Sequence, residues 1–202
     1  SIPCDSANII ESKSFKLYLN SLNQSTFDTA KQLEEVLAKD LSLVAGSDVE
    51  VNILSLDQDL AIKSGNENRQ LIDLLDVSDF SYEVDSRLLS ATKGEVVEQQ
   101  LVSHLLKTNC PVTGQPDWAS VLIDYTGDAI DQEGLLRYIV SYRNHQDFHE
   151  QCVERIFIDI MEKCAPEKLT VYARYTRRGG LDINPLRTTE SNFSGNIRLS
   201  RQ

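Results

Sequence analysis

Residues compared at a spacing of 120 fall into register over most of the chain, and this internal repeat limits the possible folds more than any other feature. Phe15-Lys-Leu-Tyr18-Leu-Asn-Ser21 lies over Leu135-Leu-Arg-Tyr138-Ile-Val-Ser141, and Val49-Glu-Val51-Asn-Ile53 lies over Leu169-Thr-Val171-Tyr-Ala173, with no gap. Phe15, Leu17 and Leu19 alternate, which predicts a strand over 14–23 and its counterpart over 135–142. A helix follows in each copy. The first opens at Ser25 or Thr26 and carries Phe27, Ala30, Leu33, Val36 and Leu37 on one face through Leu41. The second, over 147–164, carries Phe148, Cys152, Val153, Ile156, Phe157, Ile160, Met161 and Cys164. Each copy closes on a strand, at Val49–Ile53 and at Leu169–Tyr175. The repeated unit is therefore expected to be strand–helix–strand. Only the second copy has a full strand before it, Ala119 to Thr126, so part of the first copy's sheet is expected to be missing at the amino end. The acidic, turn-rich stretch 57–93, centred on Ser64–Asn68, reads as a connecting insertion, to which Phe80–Val84 can add a strand.

Charge and cysteine usage narrow the function. Lys and Arg total 20 against 31 Asp and Glu, a net charge of −11, which opposes a sequence-independent grip on nucleic-acid phosphates. Four cysteines without a C-x-x-C pair suit neither a zinc site nor a disulfide framework, and His104 and His145 lack partners at metal-ligand spacing, so no metal is expected. No signal peptide or long apolar span is readable. A soluble protein of the reducing cytoplasm, with no membrane contact, is the expectation.

The chemistry concentrates in Lys107-Thr-Asn-Cys-Pro-Val-Thr-Gly-Gln-Pro-Asp117-Trp118, a turn-rich connection between two apolar runs. Pro111, Gly114 and Pro116 fix its path, so Cys110 and Asp117 are presented rigidly. A nucleophilic thiol needs a proton-handling neighbour, and this stretch offers one, although a loop cysteine near an aspartate is weak evidence alone. Lys107 and His149 are candidate helpers for its ionisation.

Three further groups have both a plain and a functional reading. Glu150, after His149 at a helix start, is an ordinary first-turn carboxylate or a clamp that accepts two parallel N–H donors from a guanine-like edge. Glu11-Ser12-Lys13 is a polar turn or a set of ligand and phosphate contacts. Arg177-Arg178-Gly179-Gly180 is a solvated turn or an anion cradle. Cys152 and Cys164 sit on an apolar stripe and read as core. There is no G-x-G-x-x-G, so a nicotinamide cofactor would not sit on a Rossmann unit.

Taken together, these blocks resemble one family. Glu11-Ser-Lys-Ser-Phe-Lys-Leu-Tyr18 is similar to the signature motif of the QueF-type nitrile reductases, the NADPH-dependent 7-cyano-7-deazaguanine reductases of queuosine biosynthesis, a tRNA modification. Asn109-Cys110-Pro…Thr113-Gly-Gln-Pro-Asp117-Trp, Tyr142-Arg-Asn-His…Asp147-Phe-His-Glu150 and Tyr175-Thr-Arg-Arg-Gly-Gly180 resemble its other blocks, in the expected order. The layout resembles the bimodular branch, whose amino-terminal segment is longer. That implies an incomplete amino-terminal module over 1–93 and a catalytic module over 94–202. Leu186 stands where the family usually has an aromatic after Asn184-Pro185.

The resemblance implies an α+β tunnelling fold (T-fold), two tandem modules of antiparallel sheet backed by helices, commonly a homodimer. It implies Cys110 as nucleophile and Asp117 as proton donor. Ile10, Glu11, Ser12, His149 and Glu150 match the positions that bind the small 7-deazaguanine substrate, and Ser12, Lys13, Arg178 and Gly179 match those that bind NADPH. The implied chemistry is a thiolate adding to the nitrile carbon, then two hydride deliveries that carry the thioimidate to the amine. Two other readings of the residues stay open here: a cysteine-dependent nitrile or amide hydrolase using Cys110 and His149, and a non-catalytic purine- or pterin-binding module.

Overall fold

In the computed structural model the described residues are 1–54, 69–191, 199 and 201–202. They fall into two compact units, Ser1–Leu60 and Ala61–Gln202. The first unit is a helix pair, α1 (Ser12–Ser21) and α2 (Ala30–Ala45). Residues expected as a strand over 14–23 are thus helical. Glu11 decides this locally. Its carboxylate accepts from Lys13 N (2.9 Å) and Ser14 N (2.8 Å), satisfying two of the donors that a helix start leaves open. The apolar residues also fit the helical period: Phe15, Tyr18, Leu19 and Leu22 pack on Leu37, Leu41, Ala45 and Val49, while Leu17 is 69% exposed. Helix α2 starts later than expected, capped by Thr29, and ends at Gly46. Val49–Ile53 forms no strand among the described residues; Val49 N donates instead to Ser42 Oγ (2.8 Å).

The second unit is built on a five-stranded sheet in the order β1 (Gln70–Leu71), β2 (Ala91–Asn109), β3 (Pro116–Ile130), β4 (Lys168–Tyr175) and β5 (Leu186–Thr188). All neighbours are antiparallel except the short β1–β2 pair. Helices α3 (Gln132–Ser141) and α4 (His149–Cys164) supply the apolar residues that cover one face. The architecture is α+β, an antiparallel sheet backed by helices, as expected. The strand expected over 135–142 is helix α3. Leu135, Leu136, Tyr138, Ile139 and Val140 are all buried on either side of the half-buried Arg137, and an apolar run this short suits a buried strand or a buried helix alike. The Asp131 carboxylate, accepting from Glu133 N (3.2 Å), marks its start. Gly134 fits where α3 passes the chain at Leu88; a Cβ there would lie 2.2 Å from the Leu88 carbonyl oxygen.

The repeat survives as helix–helix rather than strand–helix. Ser21 Oγ donates to the Tyr18 carbonyl and Ser141 Oγ to the Tyr138 carbonyl, each at 2.6 Å. The Tyr18 hydroxyl donates to Asp40 (2.7 Å) and the Tyr138 hydroxyl to Asp159 (2.6 Å), each reaching the following helix. Those helices, α2 and α4, both span 16 residues.

In the stretch read as an insertion, residues 55–68, including Ser64–Asn68, lie outside the described residues. Its later part is not only connection: Ile72 and Leu89 are buried in the core of the second unit. Phe80–Val84 forms no strand; Val84 packs on that core just after a bend at Tyr82 and Glu83.

Candidate active site

The site is assembled by the β2–β3 hairpin. Register pairs Thr108 with Asp117 and Asn109 with Pro116, leaving residues 110–115 as the connection. Cys110 N donates to the Gln115 carbonyl (2.9 Å) and Gly114 N to the Cys110 carbonyl (2.8 Å), which closes the turn. Asn109 N donates to the His145 carbonyl (2.8 Å) and Asp147 N to the Asn109 carbonyl (3.3 Å). These bonds stitch the hairpin end to the segment entering α4, so the thiol loop and the start of α4 are neighbours through backbone alone. On the other side, Thr176 N donates to the Trp118 carbonyl (2.9 Å), extending the β3–β4 ladder to the arginine turn. Gly179 (φ 62°) and Gly180 (φ 83°) turn the chain there, in a region that side chains with a Cβ rarely adopt.

Asp117 sits where these pieces meet. Its side chain is 3% exposed, with Oδ2 at 3.2 Å from His149 Nε2 and Oδ1 at 3.1 Å from Arg178 Nε. A buried carboxylate is tolerable only with such partners, and both of its oxygens have one. Arg178 Nη1 also donates to Gln115 Oε1 (3.0 Å), which ties the arginine turn to the thiol loop. The His149 ring lies parallel on Tyr175 at a centroid distance of 3.7 Å, and its Nδ1 is buried without a hydrogen-bond partner among the described residues.

Cys110 is buried, and burial pushes its thiol up. Hydrogen bonds from the Thr113 hydroxyl and amide, the Val112 amide and Arg178 outweigh that, lowering the thiol to about 7. The helper is therefore not Lys107, whose Nζ donates to Asn109 Oδ1 (2.8 Å) and the Arg143 carbonyl (2.7 Å). Thr113 and Tyr175 lie inside the motifs yet carried no assigned role. A threonine three residues after a turn cysteine is placed to fold back on it, and that spacing was the available signal for Thr113. Nothing in the sequence marked the stacking of Tyr175 on His149.

Glu150, in the first turn of α4, is half-buried and makes no hydrogen bond or ion pair among the described residues, so its carboxylate is available to a ligand. Cys110, Asp117, His149, Glu150, Arg178 and Gly179 all belong to the second unit. Ile10, Glu11, Ser12 and Lys13 form the start of α1 in the first. There the Glu11 carboxylate is engaged as a helix cap; the amides of Lys13 and then Ser14 hold it below the usual carboxylate range. Lys13 is exposed.

A family model described as a QueF-like protein matches residues 116–193, and one described as the N-terminal part of nitrile reductase, 7-cyano-7-deazaguanine-reductase, matches residues 1–53. The NADPH-dependent 7-cyano-7-deazaguanine reductase of Desulfotalea psychrophila is 54% identical over 99% of this chain and 73% of its own length. The protein of the same name from Cupriavidus metallidurans is 56% identical over 100% of this chain and 73% of its own. A crystal structure of the archaeosine synthase QueF-Like in the apo form covers 48% of this chain and 95% of that one, at 15% identity and a TM-score of 0.41. With more than half of its residues shared along essentially its whole length, the chain belongs to the family of NADPH-dependent 7-cyano-7-deazaguanine reductases.

Proposed function

We propose that Cys110 is the nucleophile and Asp117 the proton donor in the family's reaction, the reduction of the nitrile of 7-cyano-7-deazaguanine to the aminomethyl group in queuosine biosynthesis. One observation carries this reading. The lowered thiol, Arg178, the Asp117 carboxylate and the His149 ring form one continuous chain of contacts. A nitrile is a poor hydride acceptor, and sulfur adding to its carbon converts it into a thioimidate that is more easily reduced. The bond formed is S–C, and the proton that leaves sulfur balances the one that arrives at nitrogen. Asp117 transfers it, with His149 as the adjoining proton holder on Oδ2. Glu150 is the clamp for two N–H donors of the nucleobase, with His149, Ile10, Glu11 and Ser12 as the other contacts.

NADPH supplies the hydrides when bound. Ser12, Lys13, Arg178 and Gly179 would hold it. Arg178 offers guanidinium charge, and the positive-φ glycine turn beside it is open: nothing lies within 4 Å of a Cβ built on Gly180. Such an arrangement suits close approach of a phosphate to backbone. Arg178 thus serves two tasks, since it also hydrogen-bonds the thiol.

Two tandem modules are part of the same proposal, supported by the matched Tyr18–Asp40 and Tyr138–Asp159 bonds, with the boundary moved from the expected 93/94 to Leu60/Ala61, since Ile72 and Leu89 belong to the second unit's core and β2 runs across 93/94. So are a homodimer, a cytoplasmic setting and no direct nucleic-acid contact. Free thiols at Cys110, Cys152 and Cys164 and the charge of −11 support the last two. Among the described residues no helix is long and apolar enough to cross a membrane.

The test is NADPH oxidation with 7-cyano-7-deazaguanine as substrate, with light scattering for subunit number. Turnover lost in Cys110→Ala and Asp117→Asn is expected. Nitrile consumption without NADPH oxidation would reassign the chain to hydrolysis.

A further inference from the structure

We propose that Gln202 is a positioning residue for this site: its carboxamide clamps both ends of the turn that carries Arg178. Gln202 Nε2 lies within hydrogen-bond reach of the Tyr175 carbonyl (3.1 Å), Asp182 Oδ2 (2.8 Å) and Asn184 Oδ1 (3.0 Å). Its Oε1 accepts from Arg174 Nε (2.8 Å) and Leu199 N (3.1 Å). Both ends of the amide are therefore saturated. Tyr175 is the last residue of β4, and Asp182 and Asn184 stand where the chain returns from the turn.

Two internal bonds complete the clamp. Tyr175 N donates to Asn184 Oδ1 (3.1 Å) and Asn184 Nδ2 to Asp182 Oδ2 (2.9 Å). The turn is also held across its middle by Arg178 N donating to the Leu181 carbonyl (2.9 Å). Arg178 projects from this frame to Asp117, and Tyr175, anchored through its amide and carbonyl, presents its ring to His149. Without the clamp the turn has more conformations open to it, and Arg178 spends less time against Asp117 and the thiol. A side chain that touches no reacting atom thus fixes the arginine beside the thiol and the tyrosine that stacks on His149.

The inference rests on the reductase reading for the meaning of Arg178, but its test does not need turnover. Cys110 alkylation by iodoacetamide at pH 7, followed by peptide mass spectrometry on free enzyme, reads the support that Arg178 gives to the thiolate. Gln202→Ala is expected to slow it about threefold, and KM for NADPH is expected to rise more than kcat falls. Gln202→Glu keeps the Oε1 acceptor and the shape but removes the donors and sets a charge against Asp182, so it should be impaired as much as Gln202→Ala. Asn184→Ala breaks the same clamp from the other side, should Gln202→Ala fail to fold. Unchanged Cys110 alkylation in folded variants, even with a lower melting temperature, overturns the positioning role. Absence of NADPH oxidation by the unmodified protein would instead sink the reductase reading and leave the clamp standing.

Discussion

Arg178 Nε lies 3.1 Å from Asp117 Oδ1 while the same guanidinium hydrogen-bonds the Cys110 thiol. One cation therefore holds the acid in place and favours the nucleophile's charged form. It does so from a turn whose other expected task is binding the phosphates of NADPH.

Removing that cation should be read first at sulfur. Arg178→Gln keeps a polar side chain but no charge, so the thiol should move up towards its ordinary range. Any such rise lowers the thiolate fraction at pH 7, and Cys110 alkylation should slow with it. An unchanged rate would mean that Thr113 and Val112 alone set the thiol.

The pH dependence follows with a definite sign. Thiolate is the reactive form, and the Cys110 thiol is lowered to about 7. Alkylation should climb as pH rises through about 7 and then level off. An ordinary thiol would keep climbing to about 8.5. A rate still rising steeply above pH 8 would refute the lowered thiol.

Binding and chemistry should separate at Glu150. This carboxylate has no protein partner among the described residues, so Glu150→Ala leaves no orphaned group behind. Losing a charged acceptor for the substrate should cost about 1.5–3 kcal/mol, about 10- to 150-fold in Kd by calorimetry. Alkylation of Cys110 should stay as it was.

Stability should show where α3 meets the Leu88 backbone. Gly134→Ala puts a methyl 2.2 Å from the Leu88 carbonyl oxygen, and backbone cannot step aside as a side chain can. A loss of about 2–3 kcal/mol in urea unfolding is expected. Gly94→Ala, with nothing within 4 Å but φ at 83°, should lose only about 1 kcal/mol from backbone strain.

The structure brings Asp117, His149 and Arg178, all named from the sequence, side by side, while two scaffold segments differ from the sequence reading, for physical reasons. Cys110, Asp117 and Arg178 stand beside prolines and glycines that punctuate the chain, and their chemistry is carried by residue type. The segments 14–23 and 135–142 offered weaker signals. In the first, Phe15, Leu17 and Leu19 alternate, while Phe15, Tyr18, Leu19 and Leu22 equally follow a helical period. What separates the readings is the capping carboxylate of Glu11, a residue that also fits a ligand contact. In the second, a short apolar run broken only by Arg137 suits a buried strand as well as a buried helix. The clamp at Gln202 was out of reach, because bonds to Tyr175, Asp182 and Asn184 join residues distant in the chain, and no local pattern encodes them.

The central claim is that Cys110 sulfur captures the nitrile carbon before any hydride arrives. Intact-protein and peptide mass spectrometry after incubation with 7-cyano-7-deazaguanine, without NADPH, tests it most directly. The expected result is one added substrate mass on the peptide containing Cys110, absent in Cys110→Ala. An unshifted mass, or an adduct that persists in Cys110→Ala, would contradict it.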